Sequence, residues 1–340
     1  MSATVRIAEL HLTVPFAISR ATHTTKQVVL VELRDGDRVS RGEGVPDAFF
    51  GETIEAVARD IRSALPLLPA DPLDLETLGQ RLDERFPRGG AARCAIDVLA
   101  HDRASQAAGV PLRTLLGLAP AVPPPTSFTI GLAEPAVMGQ RAARAAAQGF
   151  DILKVKLGRN SDDLAILSAI RERFEGTIRV DPNAAWTADE APSRVAAIAP
   201  FGVEFVEQPL APDDLDGLAY LHEAVELPIV VDESVTRASD IARVADRCDG
   251  INVKLQKCGG IAPARAMIEA AHEVALKVML GCRAAETSVG IAAAVHLAAA
   301  VEWADLDGNL LISDDPFRAV AVERGQFVFP DRPGLGAVEA

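Results

Sequence analysis

The chain has 340 residues, a formal charge of −14 from 34 basic and 48 acidic side chains, and 49% hydrophobic residues. That length and apolar content exclude disorder and collagen-like structure, and they allow one barrel-sized domain plus a smaller one. The acidity, with no run of five like charges to offset it, argues against a nucleic-acid partner.

The opening MSATVRIAEL has neither a basic n-region nor an apolar h-region, so no secretory signal is expected. Residues 4–12, 27–34 and 38–43 read as three strands, the last two joined by a hairpin-like Asp35-Gly36-Asp37. Helical patterns follow over 52–65, 74–86 and 90–108, with Gly89-Gly90 marking the start of the third. These elements predict an α+β capping domain over residues 1–120, closed by the proline-rich AVPPPT at 121–126.

From Thr126 onward, short apolar runs end at Lys156, Asp181, Glu207, Asp232, Lys254, Gly281 and Asp305, in steps of 22 to 27 residues. Ala-rich helical patterns, such as 136–148, 162–174 and 261–275, lie between them. With SFTI (127–130) there are eight strands, which predict a (β/α)8-type, modified TIM barrel over residues 121–312. A doubly wound open sheet is the rival, but neither GxGxxG nor GxxxxGK[ST] occurs. Glu286 and His296 interrupt the apolar stretch 284–301, which reads as a buried helix rather than a membrane span. After Leu311 the chain is strand-and-turn, and residues 313–340 are expected to return and complete the first domain. The four cysteines show no CxxC or zinc spacing and suit a reducing cytoplasm.

In such a barrel the functional groups stand at the C-terminal ends of the strands. Asp181 or Asp232 alone could equally be a helix N-cap. Together with Glu207 they are three carboxylates on consecutive strands, and their mutual repulsion is removed by a hard divalent cation. All-oxygen ligation without histidine suits Mg²⁺ rather than zinc. Lys154 and Lys156 share one face of their strand, opposite Leu153, Val155 and Leu157, and so point into the barrel. That is costly unless carboxylates, metal or substrate compensate. The proximity of Lys154 is expected to lower the pKa of Lys156. Lys254 lies across the ring, so two lysines can reach opposite faces of one substrate carbon.

The ordered motifs KVK (154–156), DPN (181–183), EQP (207–209), DES (232–234) and NVK (252–254) resemble the muconate-lactonizing-enzyme subgroup of the enolase superfamily. The resemblance spans essentially the whole chain. It implies one Mg²⁺ per subunit on Asp181, Glu207 and Asp232, Lys156 and Lys254 as the acid/base pair, Asn183 supporting the ligands, and Lys154 as an electrostatic helper. It also implies that the first domain caps the barrel mouth and supplies specificity loops. ADLDG (304–308) is similar to the DxD of dipeptide epimerases, in which the pair matching Asp305 and Asp307 binds the substrate's ammonium; a simple turn is the bland alternative.

PFAISRATHTT (15–25) resembles the first specificity loop of epimerases acting on L-Ala-D/L-Glu, with Arg20 in place for a glutamate side chain. FFGET (49–53) resembles the second, where Phe50 or Phe49 closes over the site or packs in the cap core. GCRAAETS (281–288) is one residue longer than the family pattern, and Arg283 stands there as a candidate for a substrate carboxylate.

The resemblance thus implies a Mg²⁺-dependent dipeptide epimerase. Its reaction would be a two-lysine 1,1-proton transfer at the α-carbon of the C-terminal residue of an L-Ala-L/D-Glu-like dipeptide. The alternatives are an N-acylamino acid racemase, an o-succinylbenzoate synthase or a muconate cycloisomerase of the same superfamily, or a non-catalytic binder of Mg²⁺ and an acidic ligand. The expected partner is a small-molecule dipeptide, with no nucleic acid or membrane; homo-oligomers are common in the family.

Overall fold

A computed structural model describes all 340 residues. Strands β1 (Ser2–Ala17), β2 (Thr22–Asp35) and β3 (Arg38–Gly44) form an antiparallel sheet in that order. β1 runs five residues beyond the expected 4–12. It passes an irregularity between His11 and Phe16, and Pro15 is tolerated there because an edge strand needs no inward N–H. The apolar run of β2 is buried on both faces. Val29, Val31 and Leu33 meet the helices α1 (Ile54–Ala64), α2 (Leu75–Arg85) and α3 (Ala91–Ala108), while Val28 and Leu30 join the main core.

α3 is buried from Ala91 to Ser105, charged residues included, because it lies between the cap sheet and the barrel. Its polar side chains are spent on that junction. Asp97 accepts from Ile261 N at 2.6 Å, and Arg93 donates to Gly259 O at 2.6 Å. Asp102 ties Arg41 N and Leu335 N together at 2.8 and 2.9 Å. The tail therefore reaches the first domain, as does Ser313 N through His11 O at 2.9 Å.

The barrel strands are β4 (Phe128–Ile130), β5 (Ile152–Lys156), β6 (Thr177–Asp181), β7 (Val203–Glu207), β8 (Ile229–Val231), β9 (Gly250–Lys254), β10 (Lys277–Gly281) and β11 (Trp303–Asp305). They pair in parallel in chain order, and the ring closes from β11 to β4 through a Thr126–Ala304 bridge. Alternation sorts each strand. Leu153, Val155, Val180 and Val253 face the surrounding helices within the main core, while Phe205, Val230, Met279 and Trp303 form a separate cluster. The polar strand ends stand one step above that plug. No helix is long and apolar enough to cross a membrane, and the apolar stretch 284–301 contains the buried helix Ser288–Val295.

A carboxylate of the cap grips the start of that helix. Glu43 accepts from Thr287 N and Oγ1 and from Gly290 N at 2.8–3.1 Å. A Cβ on Gly290 would sit 2.7 Å from both Glu43 Oε2 and Glu286 Oε2 and push those carboxylates out of place. Burial, and then the Glu286 charge, push Glu43 up to about 8 against the opposing hydrogen bonds. Because the folded-state pKa is raised, this contribution to stability is present at low pH and lost as pH rises toward 8. In urea unfolding, wild type should therefore lose stability relative to Glu43→Gln as pH climbs from about 5 to about 8. A difference that stays constant over that range would refute the assignment.

Candidate active site

Register sets the site. Lys154 pairs with Arg179 and Lys156 with Asp181, while Lys254, Gly281 and Asp305 fall in one row across β9, β10 and β11. Gly281 is required in that row because a Cβ there would lie 2.4 Å from Asn252 Oδ1. Just beyond the strand ends, Asn183, Ala184 and Gln208 adopt positive φ, backbone strain of the kind that clusters at functional sites.

Lys154 is 2% exposed and sits among three carboxylates: Glu207 at 2.6 Å, Asp305 at 2.8 Å and Asp181 at 3.2 Å. Lys156 meets Asp181 at 2.5 Å. Lys254 meets Asp232 Oδ2 at 2.6 Å, and Lys257 holds Asp232 Oδ1 at 2.7 Å together with the Asp232 carbonyl. Asn252 donates to Glu207 Oε1 at 2.8 Å, Gln208 accepts from Asp232 N at 2.8 Å, and Asn183 N donates to Asp181 at 2.8 Å.

Burial opposes every one of these charges, and the partners decide the outcome. The ammoniums of Lys156 and Lys154 hold Asp181 below its ordinary range, and those of Lys254 and Lys257 hold Asp232 well below it. Lys154 draws Asp305 down to about 2. For Glu207, burial and the Asp181 charge outweigh the pull of Lys154 and push it up to about 7. Asp307, hydrogen-bonded to Thr129, is likewise pushed up to about 7 by burial and Asp305. Lys154 and Lys254 are held above the ordinary lysine range by their carboxylates.

No three acidic, histidine or cysteine side chains close around one point, because each expected ligand carboxylate is drawn onto an ammonium. The donor set nonetheless fits a hard dication. Glu207 Oε2 lies near Lys154 outside hydrogen-bonding geometry, and Asn183 Oδ1 is buried without a partner. Asp181, Glu207, Asp232, Glu233, Asp305 and Asp307 are buried together, and Lys154, Lys156, Lys254, Lys257 and the Arg20 guanidinium on Glu233 leave these carboxylates in excess, as a cation site requires.

Lys154, Lys156, Lys254, Lys257, Asp232 and Glu233 line a cavity of about 470 Å³ beneath the cap, with Asp181 and Glu207 fully buried behind them. Asp305 and Asp307 both line it, although Asp305 is already held by Lys154 and by Ser127 at 2.6 Å. Arg20 reaches it from the cap, anchored on Glu233 at 2.8 Å and Asn183 O at 3.2 Å, with its guanidinium over Phe49. Phe49 and Phe50 stand in the cavity wall, 43% and 37% exposed, and so are not cap-core aromatics. Arg283 also lines the cavity, but fastens the second cap loop through Val45 O and Glu52 and lies over Phe50.

Sequence reading missed Lys257, Asn252, Gln208 and Glu233. Asn252 shares its strand face with Lys254 by alternation, and Gln208 and Glu233 sit inside quoted motifs. Lys257 follows Lys254 by three residues at the turn Leu255–Cys258, where one helical turn returns it to the same site. Its carbonyl also accepts Gly90 N of the cap at 3.2 Å.

Two family descriptions match the chain: "Mandelate racemase / muconate lactonizing enzyme, N-terminal domain" over residues 2–117 and "Enolase C-terminal domain-like" over 137–338. An L-Ala-D/L-Glu epimerase of Bacteroides thetaiotaomicron is 35% identical over 97% of this chain and 86% of its own. The crystal structure of a dipeptide epimerase from Enterococcus faecalis, complexed with Mg and L-Leu-L-Tyr, superposes with a TM-score of 0.93 at 34% identity over 99% of both chains. One from Methylococcus capsulatus, complexed with Mg and L-Arg-D-Lys, gives 0.91 at 33% identity, again over 99% of both.

Removing the central ammonium leaves three buried carboxylates facing one another. Lys154→Met should cost about 3–5 kcal/mol in chemical unfolding, as for a broken buried ion pair. A loss below about 1 kcal/mol, the range of surface pairs, would contradict this electrostatic account.

Proposed function

Because this chain belongs to the mandelate racemase/muconate lactonizing enzyme family of enolase-like proteins, we propose that it is a Mg²⁺-dependent dipeptide epimerase. The observation that carries the reading is the placement of Lys156 and Lys254. They stand on β5 and β9, four strands apart in a ring of eight, and line one cavity with Asp305 and Asp307. Asp181, Glu207 and Asp232 would hold one Mg²⁺, which supplies Lewis-acid stabilisation of charge developing on the substrate's terminal carboxylate.

The chain's own groups do the rest. Asp307 and Asp305 take the N-terminal ammonium and fix the dipeptide across the barrel mouth. One lysine, in its neutral form, removes the α-proton of the C-terminal residue, and the bonding pair stays behind as an enolate. The opposite lysine, as an ammonium, returns a proton to the other face, so the two exchange charge and the net count is unchanged. Arg20, with part of its guanidinium open to the cavity, suits the side-chain carboxylate of an L-Ala-L/D-Glu-like substrate. Lys154 and Asn183 keep Asp181 in place. The DxD pair favours this reading over racemases of N-acylated amino acids, whose substrates carry no ammonium. Four cysteines without a disulfide support a cytoplasmic setting.

Lys156→Ala and Lys254→Ala should each lower epimerisation of L-Ala-L-Glu by about 10²–10⁴-fold or more. Proton NMR in D₂O reads this directly as loss of α-hydrogen exchange, and chelation of Mg²⁺ should stop exchange until the ion is restored. Near wild-type exchange in either variant would rule out the two-base scheme. Exchange confined to N-succinyl amino acids would establish the racemase alternative.

A further inference from the structure

The cap wall of the cavity holds more cationic donors than the proposed chemistry uses. Arg20 is tied to Glu233 and Asn183 O. The Arg283 side chain is only 9% exposed; its Nη1 is satisfied by Val45 O and Glu52, while Nη2 is buried with no acceptor at all. Lys26 of β2 stands half-buried in the same wall with no hydrogen-bond or ion-pair partner. Burial lowers its pKa, and the Arg283 charge adds to that against the opposing pull of Asp47. Asp47, the carboxylate beside them, spends Oδ1 on Phe49 N and comes no closer to Arg283 Nε than 3.8 Å. Arg283 thus keeps one buried donor unfilled, and Lys26 lines the same wall as an ammonium without a partner, which an anion in the cavity would pair.

The position of this pair selects a part of the substrate. The Arg283 carbonyl lies 2.7 Å from where a Cβ on Gly308 would be, so the Arg283 backbone stands beside the Asp305–Asp307 segment and its side chain spans from there to the cap loop at Glu52. Arg20 sits over β6 and β8 instead, through Asn183 and Glu233. We propose that Lys26 and Arg283 form an anion subsite that takes a side-chain carboxylate on the first residue of the dipeptide. This rests on the epimerase reading for the pose and deepens it, naming dipeptides with an acidic N-terminal residue as a preferred substrate class. Phe50, under the Arg283 guanidinium at 5.6 Å, supplies the apolar wall for the methylenes of such a side chain.

The test compares L-Glu-L-Glu with L-Gln-L-Glu, which differ only in the charge of the first side chain. With Mg²⁺ present, wild type should favour the acidic dipeptide in kcat/KM by about tenfold or more, the scale of one charge-assisted hydrogen bond. Lys26→Met should bring the ratio close to one, and Lys26→Arg, which keeps the charge, should restore it. Equal turnover of both dipeptides by wild type, or a ratio unmoved by Lys26→Met, overturns the subsite and leaves the epimerase reading standing. Calorimetric binding of the same pair separates the two ideas. Tighter binding of L-Glu-L-Glu with no epimerisation of either supports the subsite and overturns the epimerase reading. No preference and no turnover overturns both.

Discussion

The structure depends on compensating charge that the barrel cannot expose. Lys154, 2% accessible, carries the only ammonium shared by Asp181, Glu207 and Asp305, which come from β6, β7 and β11. Isolated charges at that depth would each cost several kcal/mol, so the carboxylates and ammoniums must be placed together or not at all. This requirement fixes the order of residue types around the ring. It also explains the neutral supports: Asn252, Gln208 and Asn183 hold single carboxylate oxygens or backbone groups without adding charge. The hydrophobic plug of Phe205, Val230, Met279 and Trp303 beneath keeps water from relaxing the arrangement.

The parts of this design that recur at a fixed step were legible in the residues alone. Apolar runs of about 25-residue period specify parallel strands, and an ionisable residue at the end of six of the eight marks the functional rim. What escaped was set by tertiary direction rather than by pattern. Lys257 looks like an ordinary turn lysine until Leu255–Cys258 winds it back toward Asp232. Arg283 could be placed at the mouth, but its attachment to Val45 and Glu52 depends on a cap loop more than 200 residues away in sequence. The extension of β1 past Leu12 was hidden by Pro15, whose missing N–H matters only if the strand is not on an edge. Asp305, which the DxD resemblance assigns to a substrate ammonium, in space already holds Lys154.

The cap and barrel are joined by polar pins as much as by apolar area. α3 contributes Asp97, Asp102 and Arg93, each reaching a backbone group of another segment. Glu43 does the same for the helix at Ser288, and Gly290 leaves the room it needs. Such contacts tolerate little translation, since a hydrogen bond weakens steeply once distance and angle drift. The cap loops that line the cavity are therefore seated on a rigid frame.

Lys257 carries that rigidity into the chemistry. Its side chain grips Asp232 while its carbonyl receives Gly90 from the start of α3, so one residue is both seat and clamp. One backbone link, Gly90 N to the Lys257 carbonyl, thus ties the start of α3 to the residue that holds the Asp232 carboxylate. The loops at the mouth and the floor of the cavity share the pivot beneath them. A foreign cap grafted onto this barrel would have to preserve the glycine pair at that pivot before its new loops could matter.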